Sequence, residues 1–131
     1  MSLHEDDMSF MREVFMPDEH GNEKPRLPYN EFIYEWGLHP VSQGKGEAIK
    51  DMHRKYGDHF LCRYRIPCPS GKVVTLSVIT GMMFYSRKDA PYEVMVNEAE
   101  SNDPLAYQTD EDLMLLIAKL LTEGEDDGLP K

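Results

Sequence analysis

Two cysteines, one tryptophan and no long hydrophobic run set the first limits on this 131-residue sequence. No stretch reaches the roughly 18 consecutive apolar residues of a membrane-spanning helix. The first residues are acidic instead of carrying a basic and then apolar leader, so the chain is expected to be cytoplasmic with no membrane association. In that compartment Cys62 and Cys68 are expected to be reduced thiols, and a disulfide scaffold is excluded. Nine glycines and nine prolines are too few for a collagen-like or low-complexity chain. No internal repeat is present, which removes solenoids and propellers.

What remains suits one folded domain. Hydrophobic residues make up 40% of the chain, and one Trp, seven Tyr and five Phe supply large areas to bury. A chain of this length should remove about two thirds of its unfolded surface from water. The formal net charge of -10 hides three blocks of alternating sign. Residues 1–44 carry three Lys/Arg against nine Asp/Glu, residues 45–88 nine against three, and residues 89–131 two against twelve. Such a basic middle either neutralises itself against its flanks or offers oppositely charged faces to partners.

Hydrophobic spacing gives an expected order of elements. Residues 1–27 read as an N-terminal arm and loop, in which Met8, Met11 and Phe15 fit a helical stripe and an edge strand equally. Pro28 followed by Tyr29, Phe32, Ile33 and Trp36 predicts a helix over residues 28–36, stopped by Gly37. A second helix is expected from Ser42 or Gly44 to Tyr56, with Ile49, Met52 and Tyr56 on one face. Alternation then predicts a hairpin. Phe60, Cys62, Tyr64 and Ile66 point to the core, Cys68-Pro69-Ser70-Gly71 turns, and Val74, Leu76 and Val78 return on the core side. A third strand from about Pro91 to Asn97 places Tyr92, Val94 and Val96 inward. After a polar linker, Thr109 caps a last helix that carries Asp110, Glu111 and Asp112 in its first turn and stops at Gly124. The expected fold is α+β, a three-stranded antiparallel meander with helices on one face, spanning residues 28–124 as a single domain before an acidic tail at 125–131.

Three groups of residues are candidates for chemistry. His53, His59, Cys62 and Cys68 are zinc-type ligands within sixteen residues, but their spacing matches no finger or ribbon; the simpler reading is one core thiol and one loop thiol. Cys62 or Cys68 with His59 and Asp58 supplies the parts of an activated thiol nucleophile, although neighbours in a strand face opposite ways. Lys45, Lys50, Arg54, Lys55, Arg63, Arg65 and Lys72 form an anion-binding candidate suited to nucleic-acid phosphates, without an aromatic platform on the same strand face. Gly44-Lys45-Gly46 is only a fragment of a phosphate loop.

From Leu113 to Leu121 every residue but Lys119 is apolar, more than one buried face requires. Leu113, Met114, Leu116, Ile117, Leu120 and Leu121 are therefore the expected interface or the core beneath it.

The stretch from Leu76 to Val96, with Gly81-Met82-Met83-Phe84-Tyr85-Ser86 followed by Ala90-Pro91-Tyr92-Glu93-Val94-Met95-Val96, resembles the strand, aromatic loop, strand core of small bacteriophage and prophage accessory proteins. The resemblance covers about a sixth of the chain. It implies a bacterial or phage setting and a non-enzymatic role. The leading expectation is a non-catalytic binding or regulatory protein without cofactor, acting through protein contacts as a homodimer. A nucleic-acid-binding protein comes next, and a metal-dependent or Cys/His enzyme third.

Overall fold

The computed structural model describes residues 9–40, 57–81, 84, 86–97 and 104–124. Its centre is an open antiparallel sheet of five strands in sequential order. These are β1 (Ile33–Leu38), β2 (Phe60–Pro67), β3 (Val73–Thr80), β4 (Tyr92–Val96) and β5 (Leu105–Gln108). Among the described residues two α-helices, α1 (Arg12–Phe15) and α2 (Asp110–Thr122), accompany the sheet in an α+β fold. The meander is thus wider than the three strands expected from alternation.

The central hairpin follows the side-chain parity read from sequence. Phe60, Cys62, Tyr64 and Ile66 on β2 and Val74, Leu76 and Val78 on β3 have no exposed surface. Cys62 pairs with Val78 and Tyr64 with Leu76 across the ladder, so one face of the hairpin is apolar throughout. Its turn closes with the Gly71 N–H donating to the Cys68 carbonyl at 2.9 Å, and Gly71 has a positive φ of 91°. On β4, Tyr92, Val94 and Val96 extend the same apolar face.

The helix expected over residues 28–36 does not form. Tyr29 adopts a left-handed backbone, a short 3-10 turn spans Asn30–Phe32, and β1 follows directly. The apolar positions that fit a helical stripe also fit a strand once one residue is extra. The pairing shifts between Ile33 and Glu35, so Tyr34 bulges out while Ile33, Trp36 and Leu38 align with Tyr64, Cys62 and Phe60. The open edge of β2 offers a full ladder of hydrogen bonds to this β-branched and aromatic segment, and that outweighs its weak helical propensity. β5 is likewise a strand made by its context. Leu105 to Gln108 has no clear alternation, but it pairs with the free edge of β4.

The N-terminal segment belongs to the core. Met11 and Phe15 are buried, and the Phe15 ring lies 5.8 Å from Phe60 and 6.1 Å from Tyr92. The Asp58 N–H donates to the Ser9 hydroxyl, and Arg12 pairs with Asp58 at 3.5 Å, tying α1 to the entry of β2. Helix α2 supplies Leu113, Ile117 and Leu120 to the same cluster, so both helices cover the face of the sheet that carries Phe60 to Ile66. The expected helix from Ser42 or Gly44 to Tyr56 lies outside the described residues.

Candidate interaction surface

Helix α2 is built to sit firmly with one side in water. Its first turn is closed by a capping box in which the Asp112 N–H donates to the Thr109 hydroxyl at 3.1 Å and the Thr109 N–H donates to the Asp112 carboxylate at 2.9 Å. The Tyr92 hydroxyl donates to the Asp110 carboxylate at 2.7 Å, which fastens the helix start to β4. At its other end the Gly124 N–H reaches the Leu120 carbonyl, and Gly124 lies against Cys68 of the hairpin turn. A helix held at both ends presents a fixed outer face.

That face carries large apolar residues where a solvated helix is ordinarily polar. Met114 is 44% exposed and Leu115 57%, the largest value among the exposed large hydrophobic residues. Leu113, Ile117 and Leu120 lie wholly inside the core of the same chain, which removes them from the contact surface expected in sequence. Leu116 and Leu121 are half-buried and pack against the core edge. Leu115 was not among the expected interface residues, although its place in the uninterrupted run from Leu113 to Ala118 was the available signal. Around it stand Glu111 and Lys119, one turn before and one turn after.

The basic candidates divide into two sets. Arg63 pairs with Glu35 of β1, and the Arg65 guanidinium lies 3.9 Å from the Tyr34 ring centre, where cation–π attraction holds it. Both side chains are therefore engaged with β1 on the outer face of the sheet. Lys72 lies at the exposed hairpin turn. Lys45, Lys50, Arg54 and Lys55, with Gly44 and Gly46, lie outside the described residues. On the same outer face His39, Leu61, Arg63, Ser77, Ile79 and Met95 help line a cleft of about 240 Å³.

The thiol and imidazole candidates are not brought together. Cys62 faces Trp36 and Val78 in the core, and burial pushes its thiol pKa well up, so the reactive thiolate is disfavoured. Cys68 is also buried, at 7% exposure, and belongs to the hydrophobic core; the loop thiol expected from sequence is a core thiol. Both cysteines share strand parity but are six residues apart, about 20 Å along an extended chain, too far for a disulfide or a shared zinc. His59 is fully buried at the opposite end of β2, its ring edge-on to Phe84 at 5.2 Å. His53 lies outside the described residues. Among the described residues no three His, Cys, Asp or Glu side chains converge as a metal site. None of their helices is long and apolar enough to cross a membrane.

No family model matches the sequence, and no curated protein or solved structure is significantly similar to it.

Proposed function

We propose that this chain is a small non-catalytic binding or regulatory protein that acts through protein contacts, with α2 as the contact element and a second copy of the chain as its first partner. The exposed pair Met114 and Leu115 on a helix anchored at both ends carries this reading. Isolated exposed apolar residues are common on protein surfaces, but two adjacent large ones on a rigid helix favour burial against another molecule. The engagement of Arg63 and Arg65 with β1 favours this role over phosphate binding by the sheet. Burial of Cys62 and Cys68 favours it over thiol or zinc chemistry. A phage or prophage setting is part of the proposal and rests on the resemblance of residues 76–96.

The test is light scattering on purified protein and on Met114→Glu and Leu115→Glu. Each substitution puts a charge on the outer face without touching Leu113, Ile117 or Leu120. The wild type is expected to show self-association that both variants abolish while keeping the wild-type circular dichroism spectrum. Variants with unchanged mass would contradict the assignment of α2.

A further inference from the structure

We infer that two copies of the chain meet through α2 helices running antiparallel about a two-fold axis at Leu115, with Glu111 of each facing the partner's Lys119. This rests on the protein-contact reading above and adds the geometry of the contact. A two-fold interface must be complementary to itself, so a residue k positions before the axis faces one k positions after it on the other copy. Glu111 and Lys119 stand four positions before and four after Leu115. With a rise of about 1.5 Å per residue each lies about 6 Å from Leu115 along the helix, on the same side of it.

Among the described residues neither Glu111 nor Lys119 takes part in an ion pair of its own chain. Their charges are opposite, so antiparallel packing forms the pair twice. Parallel packing would set like charges together, Glu111 on Glu111 and Lys119 on Lys119, and is disfavoured. Antiparallel helices also oppose their dipoles. Leu115 would pack on its own symmetry mate, with Met114 at the margin of the contact. The other carboxylates of the first turn do not compete for the partner's lysine, since Asp110 accepts from Tyr92 and Asp112 closes the cap.

The experiment reverses the charges and measures dimer dissociation by sedimentation. Glu111→Lys alone and Lys119→Glu alone should each weaken the homodimer about tenfold, because each places two like-charged pairs across the axis. An equimolar mixture of the two variants should recover association to within about threefold of wild type, since the mixed dimer has both attractive pairs. Circular dichroism of each variant separates loss of association from loss of helix; Glu111→Gln and Lys119→Gln, which remove the attraction without reversing it, serve where a reversed variant unfolds. A wild-type dimer whose variants associate as tightly as wild type, or whose mixture is no tighter than its components, overturns the antiparallel pairing and leaves the α2 contact standing. A wild type that stays monomeric overturns both.

Discussion

The backbone of Gly81 runs so close to the His59 imidazole that a β-carbon there would lie 2.1 Å from His59 Cδ2 and 2.6 Å from Cγ. Its φ of 154° is also one that side-chain-bearing residues rarely adopt. His59 cannot easily yield, being fully buried beside the Phe84 ring, which His39 flanks in turn at 4.8 Å. Gly81→Ala should therefore cost roughly 2–4 kcal/mol in urea denaturation, and a loss below about 0.5 kcal/mol would show that the imidazole is not fixed there. Titration of buried groups makes a second prediction. Burial pushes the Tyr64 and Tyr92 phenols well above their ordinary pKa, and the Asp110 carboxylate accepting from Tyr92 adds to its shift. Groups raised in the folded state contribute stability that is complete below the unfolded pKa of about 10 and is lost as pH rises beyond it. The raised Cys62 thiol contributes a loss of the same sign that begins at lower pH, in the ordinary thiol range. Of the seven tyrosines, Tyr64 and Tyr92 should give their absorbance change at 295 nm only as the far-ultraviolet signal collapses. Ionisation of all seven with the fold intact would contradict their burial.

Among the elements, α2 depends most on local chemistry. Thr109→Ala removes the hydroxyl that accepts from the Asp112 N–H and leaves the backbone N–H that donates to the Asp112 carboxylate, and a loss of about 1 kcal/mol is expected from thermal denaturation. An unchanged Tm would mean that the Tyr92–Asp110 bond and the remaining backbone half of the cap suffice to set the helix start. This helix, its cap and its stop were legible in sequence because Thr109, Asp112 and Gly124 act within one turn of themselves. The β2–β3 hairpin and β4 were legible because the alternation from Phe60 to Ile66 and from Tyr92 to Val96 is strict. β1 was misread, since its apolar residues satisfy a helical period until a bulge at Tyr34 is allowed, and nothing local announces the bulge. β5 carries almost no signal of its own and exists because β4 had an edge to fill. At the candidate surface the surplus of apolar residues on α2 was visible, but which of them the core would take depends on packing. Leu113, Ile117 and Leu120 went inward and left Leu115 outside.

Across the whole molecule, several described arginines are drawn toward acidic or aromatic neighbours. Arg12 meets Asp58, Arg63 meets Glu35, Arg65 lies on Tyr34 and Arg87 on Tyr107. Part of the alternating charge read from sequence is thus spent within the fold, and the net negative charge that remains makes copies of the chain repel one another. Against that repulsion, self-association needs an apolar contact with its own charge complement, and the outer face of α2 offers one. A single helix pair buries little area, so its dissociation constant is expected on the order of micromolar. The most direct test is sedimentation velocity of the wild-type chain over a concentration series from well below to well above that range. A reversible shift from the 15.1-kDa monomer to twice that mass is expected, and a single monomeric species at every concentration would contradict it.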